Sequence, residues 1–151
     1  MTEFDFVVQS RPAPQGSKRH VGNGVMVEQS RHVKAWRDAV RVAAIDRLDQ
    51  VGRRGPLFDR GTPVALRVRF WHKRPRSHFR TGRHSTELRP DAPTFVTKTP
   101  DCSKLIRSLE DAITSAGVWW DDAQVVRVRA EQLFSDTNFE GAEVTITEAR
   151  P

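Results

Sequence analysis

The alternation in PVALRVRFWH, residues 63–72, constrains the fold most. Val64, Leu66, Val68 and Phe70 fall on one side of an extended chain, and Ala65, Arg67, Arg69 and Trp71 fall on the other. A strand of this kind buries one face and leaves the other in water, so an apolar layer must cover it. Residues 3–9 repeat the pattern, with Phe4, Phe6 and Val8 opposed to Asp5, Val7 and Gln9. Residues 124–134 alternate again, Val126, Val128 and Ala130 against Arg127, Arg129 and Glu131. Val144 and Ile146 mark a last strand.

Two helical stripes supply the cover. Val33, Trp36, Val40, Ala43, Ala44 and Leu48 recur at helical spacing, with Ser30 read as the cap and Gly52 as the stop. A helix over 101–116 places Leu105, Ile106, Leu109, Ala112 and Ile113 on one face, and Gly117 suits its C-terminal cap. RPAPQGSKRH forbids regular structure up to a Gly22-Asn23-Gly24 turn, after which VMVE reads as a brief hairpin arm. Residues 73–93 hold three prolines, six basic residues and no periodicity. A loop this long in a compact domain is functional or disordered. The expected fold is α+β: a single two-layer domain over 1–151, a mixed sheet with two main helices packed on one face. Irregular basic segments interrupt it at about 11–24 and 73–98.

No apolar run approaches the roughly 20 residues of a membrane span, and the acidic, alternating N-terminus is not a targeting segment. The single cysteine, Cys102, excludes an internal disulfide and a cysteine-rich zinc site, so a reducing cytoplasm is expected. His72, His78 and His84 do not have a usual zinc spacing. The net charge is +6 and the pI about 10.4, and about four in five of the 25 cations are arginine. Arginine forks suit phosphate, so nucleic acid is the first partner to consider. A GC-rich genome produces the same bias.

Against this basic background stand Asp101, Glu110, Asp111 and the pair Asp121-Asp122. Hard cations such as Mg2+ take oxygen ligands, typically one or two carboxylates with waters and substrate phosphates. Each acid also has an ordinary reading: Asp101 as a helix N-cap, Asp121-Asp122 as a turn, Glu110 as a surface partner of Arg107. A helix over 101–116 is roughly 22 Å long. If residues 117–122 ran straight back they would span at most roughly 20 Å and bring Asp122 near Asp101. If they do not, a second subunit has to supply the missing acid.

PDCSKLIRSLEDAITSAGVWWDDAQVV, together with a final VTITEA, resembles the RusA family of Holliday junction resolvases. The close match covers residues 100–149; the N-terminal half agrees in layout. The resemblance implies a small, dimeric, Mg2+-dependent endonuclease of bacteria and phages, with Mn2+ as a substitute. Its substrate would be branched DNA, above all four-way junctions, in the cytoplasm of a bacterial or phage-infected cell. It implies Asp101 and Asp122 as metal ligands with Asp121 in support, and Arg107 where the family carries a catalytic lysine. Ser103 stands where the family has a second aspartate, and Lys104 replaces its asparagine. Ser103 could bind metal only weakly. Glu110, within about 20° of it around the helix, is the conceivable replacement. The alternative is a branched-DNA-binding protein with weak or no nuclease activity. Lys18, Arg19, Lys73, Arg74, Arg76, Arg80, Arg83 and Lys104 are the candidate DNA contacts, with Phe79 or Trp71 able to stack on an unpaired base.

Overall fold

The computed structural model describes residues 3–15 and 32–151, together with the backbone of 18–20 and 26–28. Strand β1 (Glu3–Gln9) buries alternate residues, as its period-2 sequence requires. Strands β2 (Lys18–His20) and β3 (Met26–Glu28) pair antiparallel as a small separate ribbon. The hairpin arm expected in VMVE is therefore present, but its partner is Lys18–His20, which had been assigned to irregular chain. The turn at 22–24 lies outside the described residues.

Helix α1 (Val33–Gln50) buries Val33, Trp36, Val40, Ala44 and Leu48 along one stripe. Its N-cap is His32, which makes no side-chain capping bond; Ser30 lies outside the described residues. Gly52, at φ 72°, provides the left-handed turn that ends the helix. Strand β4 (Val64–His72) buries Val64, Leu66, Val68 and Phe70. Helix α2 (Cys102–Ala116) follows and ends on Gly117 in the left-handed conformation. Strands β5 (Val125–Phe134) and β6 (Gly141–Glu148) complete the chain.

The main sheet has the order β1-β6-β4-β5. Strand β6 is antiparallel to both neighbours, and β4 and β5 are parallel. Parallel neighbours need a crossover, and the segment carrying α2 is that crossover. The expected α+β architecture, a mixed sheet beside two helices, is the one observed. One core, from Phe4 and Phe70 to Trp36, Leu109 and Ile113, fills the space between the layers. Inside it Trp36 Nε1 donates to Ser108 Oγ (3.1 Å), and the Ser108 hydroxyl donates to the Ala13 carbonyl (2.7 Å). This satisfied polar chain fixes α1, α2 and the segment after β1 to one another.

Two expectations fail here. The alternation in 124–134 predicts a buried Val126/Val128 face, yet these residues are 63% and 41% exposed. The ladder shifts register between Val64 and Ala65, which leaves Val126 without a partner on β4 while Val125 packs against the core, and β5 is the edge of the sheet, so Val128 has a neighbouring strand on one side only. Segment 73–93 is also not structureless. It makes short 3-10 turns at Arg76–His78 and Gly82–His84, and Phe79 pairs with Leu88 across a β-bridge. Backbone and guanidinium bonds replace the missing periodicity: Arg80 with Glu87 at 2.8 Å, and Arg89 Nε with the Phe79 carbonyl at 3.0 Å.

Candidate metal and nucleic-acid site

Asp101 occupies the N-cap position of α2, but its side chain makes no capping hydrogen bond. The ordinary explanation for an aspartate there is therefore not used. Its carboxylate is 57% exposed and lies 3.7 Å from Lys104 Nζ. The turn that carries it is held from below. Gln132, buried on β5, donates through Nε2 to the carbonyl of Pro100 at 3.0 Å. Ser103 is exposed in the first helical turn. Arg107 is exposed one turn further on and makes no ion pair among the described residues.

The second group of acids lies at the other end of α2. Gly117 reverses the chain, Trp119 is buried and donates from Nε1 to Thr114 Oγ1 (2.7 Å), and Asp122 opens a short 3-10 turn, Asp122–Gln124. Gln124 organises this turn. Its Oε1 accepts from the backbone N–H of Trp120 (2.9 Å) and Asp121 (3.2 Å), and its Nε2 donates to the carbonyls of Asp59 (2.9 Å) and Thr62 (3.1 Å). Asp121 accepts from the Ala123 N–H at 2.9 Å, completing a capping box. The aromatic-acid-Gln order in the sequence is thus a folded unit. Gln124, which lies within the motif, is the residue that holds the turn together.

The carboxyls here crowd one another. Burial first, then the charges of Asp122 and Asp111, push the Glu110 carboxyl up from its usual range. Sharing a hydrogen bond with Asp121, together with burial and the Asp121 and Asp111 charges, pushes Asp122 up. Asp121, bonded to the Ala123 N–H and to Asp122, is pushed down. Asp111 is partly neutralised by Arg37 Nη2 at 3.1 Å. Glu110 therefore belongs with Asp122 and Asp111. The expected pairing with Arg107 is absent among the described residues, and Glu110 lies about 13 Å along the helix from Asp101 at 1.5 Å per residue. The run from Gly117 to Asp122 is not straight, so Asp122 returns only as far as Glu110 and Asp111.

All these donors are carboxylate oxygens, the set a hard divalent cation prefers. Among the described residues, however, no three or more His, Cys, Asp or Glu side chains of one chain come together as a metal-holding group. The donor chemistry fits a hard cation, and within a single chain the acids stand in two groups.

Basic side chains collect at the Asp101 end. A cleft of about 440 Å3 is lined by Arg11, His32, Lys73, Lys98 and Pro100, with Glu140 as its acid. Lys73 is one of the expected DNA contacts; Arg11 and Lys98 line the same cleft, although nothing in the sequence brings residues 11, 73 and 98 together. Arg76, Arg80 and Arg83 are exposed on the 73–98 segment. Arg74 differs. Its side chain is only 6% exposed, with Nη1 donating to the Pro93 carbonyl (2.7 Å) and Nη2 to Asp136 (3.1 Å), and it lies over the Phe134 ring. It holds the loop and presents no fork to a ligand. Trp71 Nε1 donates to Glu143 (2.9 Å) and Phe79 is half-buried, so neither stands free to stack on a base. Trp120, 47% exposed with the Arg60 guanidinium 4.0 Å from its ring centre, is the exposed aromatic beside the acids. The side chains of Lys18 and Arg19 lie outside the described residues. No helix among the described residues is long and apolar enough to cross a membrane.

A sequence model of one protein family, described as "Endodeoxyribonuclease RusA", matches residues 8–147. No curated protein matches the chain.

Proposed function

The chain belongs to the RusA family of endodeoxyribonucleases, and on that premise we propose that it cuts four-way DNA junctions as a Mg2+-dependent homodimer whose metal sites are each shared between two copies. The observation that carries this reading is the division of the acids between the two ends of α2. Asp101 stands at one end, Asp121 and Asp122 follow the other, and Glu110 lies beside Asp122 past the middle of the helix. A twofold dimer that lays the start of one α2 against the end of its partner's assembles both halves twice, giving the two sites that two symmetric nicks require.

Asp101, Asp121 and Asp122 would hold the cation, with Glu110 beside Asp122 filling the role that Ser103 cannot. When bound, a divalent cation supplies an activated water and neutralises charge on the phosphate. The protein's own share is positioning. The cleft of Arg11, Lys73 and Lys98 holds the backbone next to Asp101, Arg76, Arg80 and Arg83 extend that grip, and Arg107 places a guanidinium between the two acid groups, where charge develops on the leaving oxygen. Mn2+ satisfies the same oxygen donors. The expected setting is the cytoplasm of a bacterial or phage-infected cell.

Mixing two inactive variants tests the shared site. In a heterodimer of Asp101→Asn and Asp122→Asn, sharing leaves one composite site with both acids intact, so nicking of one strand returns. If each site lies within one chain, every site in the mixture lacks an acid and nothing returns. A second reading, a junction-binding protein that does not cut, is favoured by the exposed Ser103 at the head of α2. Wild-type protein that binds a synthetic junction tightly but leaves it uncut in Mn2+, while Ser103→Asp cuts it, supports that reading against the first.

A further inference from the structure

The helices cover one face of the main sheet. The other face carries a row of arginines. In the β4–β5 ladder Arg67 stands beside Arg129 and Arg69 beside Glu131; one step earlier Arg127 stands beside Ala65. On the other flank of β4, Thr145 of β6 is in register with Arg67. These side chains bound an open cavity of about 300 Å3, lined by Arg67, Arg69, Arg129, Glu131, Glu143 and Thr145.

The charges in this cavity do not balance. Neighbouring strands lie about 4.8 Å apart, so Arg67 and Arg129 place two cations side by side on one face, an arrangement that costs stability unless something offsets it. Glu131 is divided between Arg69 (Nε, 3.5 Å) and Arg129 (Nη2, 3.9 Å). Glu143 is engaged by Trp71 Nε1 at 2.9 Å. Arg127 donates to the Arg150 carbonyl at 3.0 Å, a neutral acceptor that leaves its charge unmatched. Arg67 has no acidic partner among the described residues.

We propose that Arg67, Arg127 and Arg129, with the Thr145 hydroxyl, form a second phosphate-binding surface on the open face of the sheet, which takes the backbone of a DNA arm running away from the cut. The ligand is a phosphodiester chain and not a single anion, because the cations form a line. Arg127 and Arg129 are two residues apart on β5, a step of about 6.6 Å along the strand. Arg67 widens the line by one strand, and no enclosing wall shapes the cavity to a small ion. The line also begins five residues after Asp122, across the free edge of β5 from the acids. A strand lying on the arginines therefore passes the acid turn as it rounds that edge. The inference rests on the nuclease reading for its substrate, but concerns side chains that do not line the basic cleft beside Asp101.

The test is the salt dependence of four-way-junction binding without divalent metal, comparing wild type with Arg67→Gln/Arg129→Gln. The expected result is a slope of log affinity against log salt flatter by about two units, near 0.9 per lost contact. The variant should melt no lower than wild type, since it removes a like-charged pair. Arg67→Glu is the second variant and should weaken binding further. An unchanged slope in both variants overturns the proposal. A wild-type protein with no salt-sensitive junction binding overturns the nuclease reading itself, and the two failures are thereby separable.

Discussion

The two ends of α2 differ in what they ask of their surroundings. At the start, Asp101 is an exposed carboxylate beside Lys104 and a cleft lined by Arg11, Lys73 and Lys98, and the positive end of the helix dipole also favours its charge. In its second half and the turn beyond, Glu110, Asp111, Asp121 and Asp122 crowd together, and burial and mutual repulsion push Glu110 and Asp122 up. Arg37 answers only one of the four. One end gathers positive charge; the other retains negative charge at a cost in stability. Such a cost is expected where a carboxylate cluster serves a cation and not the fold.

The largest expected effect concerns both ends together. Asp101→Asn and Asp122→Asn should each lower metal-dependent junction nicking by at least about a hundredfold, more than the loss of an outer-shell partner of a metal site produces. Junction binding without metal should persist in both. A variant that still cuts at near wild-type rate removes that acid from the site, and the contrast between the ends loses its chemical meaning.

The next effect separates the phosphate-holding cations from the structural one. Arg11→Ala/Lys98→Ala should flatten the salt slope of junction binding by about two units and leave thermal stability nearly unchanged. Arg74→Ala should do the reverse. Its charged hydrogen bonds to Pro93 and Asp136 are worth about 2 kcal/mol together, or a melting temperature lower by ~5 °C, with an unaltered slope. A salt slope that follows Arg74 and ignores Arg11 and Lys98 moves the basic surface away from the Asp101 end.

The smallest effect probes the acidic end alone. Glu110 has a folded-state carboxyl raised above its ordinary 4.5, so the folded state binds more protons than the unfolded one between those two values. The resulting destabilisation is absent below 4.5, grows as pH rises through that window and is fully present above it. Glu110→Gln should therefore raise the melting temperature at pH 7 by about 1–3 °C, and the gain should vanish near pH 4. The same variant should need more Mg2+ for half-maximal nicking. A stability gain without a change in metal requirement makes Glu110 a bystander of the Asp121-Asp122 turn.

Local pattern made much of the fold legible. Phe4, Phe6 and Val8, the Val64–Phe70 face and the Leu105–Ile113 stripe are short-range periodicities, and each element formed where its period placed it. What period cannot report is coverage. Val126 and Val128 alternate as buried residues do, yet both are exposed: β5 lies at the sheet edge, and a register shift leaves Val126 unpaired. The site divides in the same way. Helix geometry places Ser103, Arg107 and Glu110 on one side of α2, but Glu110's neighbour is decided by how Gly117 and the Gln124-centred turn bring Asp122 back. Arg74 reads as one more cation of a basic loop, and only the meeting of residues 74, 93, 134 and 136 turns it into a strut. Arg11 and Lys98 are the converse: no motif marks them, and the fold gathers them beside Asp101.

The pairing of β1 with β6 sets a timetable for the protein as it is made. Gln9 lies opposite Gly141, 132 positions later. At roughly 5–20 residues per second on the ribosome, the first strand waits on the order of 7–26 s before its partner exists. During that interval Phe4, Phe6 and Val8 have no sheet to join, and the core beneath α1 and α2 stays open. The segments that carry the acids are synthesised before β6, but they are clamped in place only after residues 141–148 emerge.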